Sequence, residues 1–188
     1  MTWLAEKWLL WRGWRFVGHM PDLDKMVIAG APHTSNWDFV LFLGAIRHWK
    51  IEPRFIGKHT LFRWPFGYFF LRLGGIPVDR DKPGGIVGQV TAAFERSERM
   101  ILVPAPEGTR KAAPYWKSGF ANIADAAGVP ILPVRVDYAH KEIVLGTPID
   151  VAGDETALMD QLRIFFEEGV GKHQEGKGPV RLHAEGSV

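Results

Sequence analysis

The chain alternates short apolar runs of strand length with stretches whose apolar residues recur at helical spacing, and this alternation limits the fold more than any other feature. Met26-Val27-Ile28-Ala29, Arg54-Phe55-Ile56-Gly57-Lys58, Ile76-Pro77-Val78, Met100-Ile101-Leu102-Val103-Pro104 and Ile131 to Tyr138 read as strands, with Glu142 to Leu145 as partner of the last. Between them, helices are predicted over Trp37 to Trp49, over the stripe Ile86, Val87, Val90, Ala93 and Phe94, over Ser118 to Ala127 with Gly128 as its stop, and over Thr156 to Glu168. Strands and helices in turn predict an α/β class, a single-domain sandwich with a mixed, largely parallel sheet covered by helices. A chain of 188 residues, 46% apolar and 23% charged, can bury such a core and is not a disordered or low-complexity one.

The first strand is followed by Ala31-Pro32-His33-Thr34-Ser35-Asn36-Trp37-Asp38, which puts His33 at a strand-to-helix junction. The free N–H groups and positive dipole end of a first helical turn disfavour imidazolium, so a histidine there stays neutral and can accept a proton. Asp38, five residues on, cannot share a helix face with His33; the two meet only if His33 precedes the helix and Asp38 lies in its first turns. The carboxylate would then hold one ring nitrogen and leave the other for a hydroxyl nucleophile brought by a substrate. The same residues also match a Ser-x-x-Asp helix cap from Ser35 to Asp38, with His33 a turn residue, and spacing alone leaves both readings open.

His33-x4-Asp38, Gly75-Ile76-Pro77-Val78-Asp79-Arg80, Pro106-Glu107-Gly108-Thr109-Arg110 and Val129-Pro130-Ile131-Leu132-Pro133-Val134, in this order, resemble the four blocks of the glycerolipid acyltransferases. That family includes the lysophosphatidate and glycerol-3-phosphate acyltransferases. The resemblance implies a glycerol-phosphate acyltransferase-like fold and the roles of His33 and Asp38 as the catalytic pair. It puts Arg80 and Arg110 at phosphate-binding positions, with Lys58 and Lys117 as further phosphate candidates, and Glu107, Gly108 and Thr109 where the acceptor is positioned. It implies acyl-CoA or acyl-carrier protein as co-substrate, no cofactor and no metal, and a lysophospholipid acceptor, 1-acyl-glycerol-3-phosphate giving phosphatidate. Acylation of another lyso-lipid or of an amine, or a non-catalytic lipid-binding membrane protein of this fold, are the alternatives. Pro32 stands where the family usually has Asn or Ser, and Ala105 where it usually has an aromatic residue.

The net charge of +2 implies no partner, but residues 47 to 82 hold eight Lys or Arg against three acids and are rich in aromatics. Such a surface suits an anionic lipid or a phosphorylated substrate, and no zinc-finger, ribonucleoprotein or helix-turn-helix pattern speaks for nucleic acid. Hydrolase elbow, phosphate-binding loop, dinucleotide fingerprint and zinc-protease motifs are absent from the sequence. With no cysteine there is neither disulfide framework nor thiol nucleophile.

Residues 1 to 20 carry Trp3, Trp8, Trp11 and Trp14 in a row near helical spacing, beside Lys7, Arg12 and Arg15. This reads as an amphipathic helix that either lies in a membrane interface or packs on the core. Leu61 to Leu71, with Phe62, Trp64 and Phe66, is a second candidate for membrane or acyl-chain contact. With no apolar run long enough to span a bilayer and no signal peptide, a peripheral protein on the cytoplasmic side of the membrane is expected. The catalytic domain is expected over residues 21 to 168 and a mobile tail over residues 169 to 188.

Overall fold

A computed structural model describes residues 2–64, 67–79, 84–109, 111–151 and 153–185. The elements follow in the order α1 (Thr2–Trp11), β1 (Arg15–Val17), β2 (Lys25–Ala31), α2 (Asp38–His48), β3 (Pro53–Lys58), α3 (Gly67–Arg72), β4 (Gly75–Val78), α4 (Gly85–Arg96), β5 (Met100–Leu102), α5 (Gly119–Ala127), β6 (Ile131–Asp137), β7 (Glu142–Leu145) and α6 (Glu155–Glu167). The strands form one seven-stranded sheet in the order β1-β7-β6-β2-β5-β3-β4. Every pairing is parallel except the β6–β7 hairpin, which fits a mixed, largely parallel sheet.

Side chains of β2 alternate between the two faces, as strand geometry requires. Val27, Ala29 and Ala31 join Val90 and Phe94 of α4, Phe120 and Ile123 of α5, and Leu158, Leu162 and Phe166 of α6 in the larger core. Met26 and Ile28 face the other way with Leu132 and Leu145, and beside them Leu9 of α1, Leu41 of α2 and Ile143 close the second layer. Burying a side chain of this kind contributes about 1.5–3 kcal/mol, so a sheet covered on both faces holds its central strands rigidly.

α1 ends in a motif that decides where its aromatic row goes. Gly13 adopts φ 83°, its N–H donates to Leu10 O at 3.0 Å, and the Trp14 N–H donates to Leu9 O at 2.9 Å. In this C-terminal cap glycine supplies the left-handed residue and the next residue packs back on the helix. Trp14 is accordingly 8% exposed in the core, whereas Trp3, Trp8 and Trp11 are 53%, 39% and 77% exposed. Trp14 is therefore corrected from a membrane contact to a core residue, while Trp3, Trp8 and Trp11 stay outside the core.

In the second aromatic stretch, Trp64 is 93% exposed. Phe62 turns inward onto Phe70, with ring centroids 6.1 Å apart, and onto Gly75, so it is a packing residue rather than a surface one. Phe66 lies outside the described residues. Among the described residues no helix is long and apolar enough to cross a membrane.

The expected mobile tail is not seen over residues 169–185. Val170 O accepts from Tyr138 N at 2.8 Å, Arg181 O accepts from Trp116 N at 2.7 Å, and Leu182 is fully buried. The segment is held because its glycines permit close approach: a Cβ on Gly171 would stand 2.8 Å from Thr34 Oγ1. Lys177 Nζ caps α6 through Gly169 O at 2.6 Å and the carbonyls of Phe166 and Glu167 at 3.3 Å.

Candidate active site

Strands β2, β5 and β6 run parallel, so the residues that follow Ala31, Leu102 and Asp137 leave the sheet at one edge, the carboxyl edge where α/β proteins place their ligands. That topology brings together His33, Asp38, Glu107 and Tyr138. His33 Nδ1 lies 3.0 Å from Asp38 Oδ2, with the imidazole side chain 34% exposed and the carboxylate 7% exposed. The spacing works because His33 sits before α2 and Asp38 is its first residue.

Asp38 also ties down the turn that leads into α2, whose N-cap position, Trp37, makes no side-chain cap bond. Its Oδ2 accepts from Thr34 N at 2.8 Å and Ser35 N at 2.9 Å, while Ser35 Oγ accepts from Trp37 N at 3.1 Å. Ser35 and Asp38 therefore bond to the local backbone as the bare turn reading expects, and the same carboxylate holds the ring. Its Oδ1 takes the Tyr138 hydroxyl at 2.6 Å. Burial pushes the Asp38 carboxyl up, but the hydrogen bonds from His33, Tyr138, Ser35 and Thr34 outweigh it and hold the group below its usual range. Burial and the Asp38 charge push the Tyr138 phenol well above its ordinary value, so it donates its proton throughout the physiological range. With Nδ1–H committed to Asp38, Nε2 is the His33 nitrogen left to accept a proton.

Glu107, which the resemblance puts where the acceptor is positioned, faces inward. It is 4% exposed, and its Oε2 accepts from His33 N at 3.0 Å. Burial raises its pKa to about 7, with the nearby Asp38 charge adding to the rise and the His33 N–H and Lys177 opposing it. Glu107 thus fixes the backbone of residue 33 from below, as Tyr138 fixes Asp38 from the side. Thr34, the next residue, is pinned from above by the His173 N–H, which donates to its Oγ1 at 3.3 Å.

The remaining predicted residues are less gathered. Lys117 is exposed, yet its Cγ would stand 3.1 Å from a Cβ on Gly108, and its N–H donates to Pro106 O at 2.7 Å, so it covers the loop that carries Glu107. Gly108 turns that loop with φ 66°. Thr109 is exposed and its Oγ1 accepts from Lys111 N at 3.2 Å. Lys58 is exposed at the end of β3. Arg80 and Arg110 lie outside the described residues.

Neither Tyr138 nor Lys177 falls in the motifs that single out the other site residues, and for different causes. Tyr138 directly follows β6, and the rule that polar side chains at carboxyl strand ends belong to the site would have found it. For Lys177, in a Gly- and Lys-rich stretch, no local signal exists.

A parallel sheet that delivers a histidine–aspartate pair to its carboxyl edge, with a buried glutamate beneath and no cysteine in the chain, defines an α/β protein equipped for proton transfer to and from a hydroxyl. The family model described as Acyltransferase matches residues 17–137, and the chain belongs to that family. Over 122 residues it is 32% identical to the 1-acyl-sn-glycerol-3-phosphate acyltransferase of Escherichia coli strain K12, covering 61% of this chain and 48% of that protein. Over 145 residues it is 28% identical to the enzyme of the same name from Streptococcus pneumoniae, covering 71% of this chain and 53% of that one. The chain spans about half the length of these relatives. The crystal structure of PlsC, the 1-acyl-sn-glycerophosphate acyltransferase of Thermotoga maritima, shares the fold with a TM-score of 0.56 and 22% identity over 89% of this chain and 73% of that one.

Proposed function

We propose that the protein is an O-acyltransferase that moves a fatty acyl group from an acyl-CoA or acyl-carrier protein thioester to the hydroxyl of a lysophospholipid, 1-acyl-glycerol-3-phosphate first among the acceptors. The observation that carries this reading is the His33–Asp38 contact of 3.0 Å, in a ring still one-third open to a substrate. His33 Nε2 takes the proton of the acceptor hydroxyl as its oxygen attacks the thioester carbonyl. Asp38 holds Nδ1–H and offsets the charge of the imidazolium that forms. When the tetrahedral adduct collapses, the C–S bond breaks and the thiolate takes the proton back from Nε2, which returns the ring to its starting state. No acyl-enzyme is needed.

Arg80 and Arg110 suit the acceptor phosphate because a guanidinium fork donates two parallel N–H bonds to it, with Lys117 and Lys58 as secondary cations. Access to a lipid acceptor is supported by the exposed indoles and phenyl of Trp3, Trp11, Trp37, Phe39 and Trp64, which favour a peripheral position at the cytoplasmic membrane face.

The test is a panel of lyso-lipid acceptors with labelled acyl-CoA and acyl-carrier protein, run on wild type and on His33→Ala. Transfer to 1-acyl-glycerol-3-phosphate that vanishes in a folded His33→Ala protein is the expected result. Turnover within a few-fold of wild type in that variant would refute the mechanism and favour a lipid-binding protein of the same fold.

A further inference from the structure

Trp37 joins three parts of the molecule that are distant in sequence. Its indole stacks on Trp8 of α1, with centroids 5.7 Å apart and planes 12° from parallel. Lys172 Nζ stands 4.8 Å over Trp37, and the Arg12 guanidinium stands 5.7 Å over Trp8. Lys141, in the turn after β6, donates from Nζ to Arg12 O at 3.1 Å. These side chains line a groove of about 310 Å³ that also reaches Tyr138, the residue that holds Asp38.

The charge of this groove is one-sided. Arg12, Lys141 and Lys172 all line it, and no carboxylate does among the described residues. Several cations elsewhere are paired: Arg15 with Glu142, Arg99 with Asp24, Arg135 with Glu168, and Arg163 with both Asp160 and Glu185. Like charges gathered without a partner repel one another, and an anion bound among them relieves that repulsion. Indole faces add a favourable seat for the cations and an apolar wall beside them. Leu4 and Trp11, which flank Trp8 at helical spacing, are 63% and 77% exposed, and Trp3 and Leu10 elsewhere on α1 are 53% and 44% exposed. A small soluble anion would leave those side chains in water, whereas a lipid headgroup brings acyl chains and interface with it.

We propose that the groove is a second, non-reacting lipid site that holds the phosphate headgroup of an anionic membrane phospholipid against Arg12, Lys141 and Lys172. This rests on the membrane position given above and goes beyond it by naming the headgroup chemistry and the residues. The proposal assigns it a place apart from the acceptor's phosphate: the groove lies on the β6–β7–β1 side of β2, and among the described residues none of the cations assigned to the acceptor lines it. A bound headgroup would tie α1, the loop before α2 and the segment after α6 to one another around His33.

The experiment compares wild type, Arg12→Gln/Lys172→Gln and, as a charge control, Lys50→Gln/Arg96→Gln, two exposed cations at the opposite, amino edge of the sheet. Each is sedimented with phosphatidylcholine vesicles with and without phosphatidylglycerol, and each is titrated with coenzyme A. The groove variant is expected to lose about thirtyfold in partitioning to anionic vesicles, from about 1 kcal/mol per cation near the surface, and the control less than about threefold. Equal losses in the two variants would show general electrostatics and overturn the site, as would no loss in either. Weaker coenzyme A binding with vesicle binding unchanged would assign the groove to the phosphates of an acyl donor and equally overturn it. A wild type that binds neither vesicle overturns the membrane position, while activity on soluble short-chain lyso-lipids reports separately on the acyltransferase. If the groove variant melts lower, Arg12→Lys/Lys172→Arg must bind anionic vesicles like wild type for the proposal to stand.

Discussion

Replacing Tyr138 with Phe removes one atom from the site and leaves every ring contact in place. The lost bond is short, 2.6 Å, and its acceptor is the buried, ionised Asp38. Hydrogen bonds to charged groups contribute about 1.5–3 kcal/mol. Each kcal/mol moves the melting point of a chain of this size by about 2–4 °C, so Tyr138→Phe should melt about 3–12 °C below wild type. Asp38 keeps His33 and the N–H groups of Thr34 and Ser35 on Oδ2. The ring therefore stays held, but the carboxylate is freer to swivel. If the whole bond energy were expressed in the transition state, the rate would fall about ten- to a hundredfold, well short of the loss in His33→Ala. The split between kcat and KM separates positioning from mere structure: Tyr138→Phe should lower kcat and leave KM for acceptor and donor near wild type, because Tyr138 acts through Asp38 on the ring and touches neither substrate. A lower melting point with kcat unchanged would refute the positioning role and leave Tyr138 as a prop for the turn after β6.

Glu107→Gln tests the buried carboxyl below His33. A folded-state pKa of about 7 against an ordinary 4.5 means that the folded protein holds the proton more tightly, so the group's stabilising contribution is present below pH 4.5 and lost as pH rises through 7. Gln cannot ionise, and the variant should gain on wild type by roughly 3 kcal/mol between pH 4 and pH 8 in denaturant titrations; parallel stability curves would contradict it. The split aromatic row gives a paired test. Trp11→Ser should weaken vesicle binding with little change in melting point, while Trp14→Ser, which also strips the edge contact to Tyr138 at 5.1 Å, should cost about 3–5 kcal/mol. The opposite pattern would invert the assignment of the two rings.

The strands that carry the site were legible because both faces of β2, β5 and β6 are covered, which makes them short continuous apolar runs with little ambiguity. Trp14 was misjudged by periodicity, which extends a row through any residue, although Gly13 is an ordinary stop signal and already marked the end of α1. β1 escaped notice because it is three residues long and owes its existence to pairing with β7, a partner more than a hundred residues away. Spacing made His33–Asp38 a candidate pair, since both lie in one local turn, and the resemblance chose it over the bare cap. Glu107 and Tyr138 follow strand ends and were open to being found, but which of them meets His33 and which Asp38 depends on the strand order, which no local pattern contains. The glycines after α6 were read as looseness, but Gly171 and Gly178 mark places where backbone presses on Thr34 and Ala113.

The pairing of β1 with β7 sets an order of events. Among the described residues β1 hydrogen-bonds to no strand but β7, and Arg15 N donates to Lys141 O at 2.8 Å, so the edge on which α1 and β1 settle is made by residues near 140. On a ribosome, the tryptophan-bearing helix is made before β7 and waits while more than a hundred further residues follow it. Through that interval Leu9 and Trp14, later hidden, are as available as Trp3 and Trp11. A nascent chain with all of these apolar side chains uncovered exposes more apolar surface than the finished protein. The final folding step then withdraws Leu9 and Trp14 into the core and leaves Trp3 and Trp11 exposed.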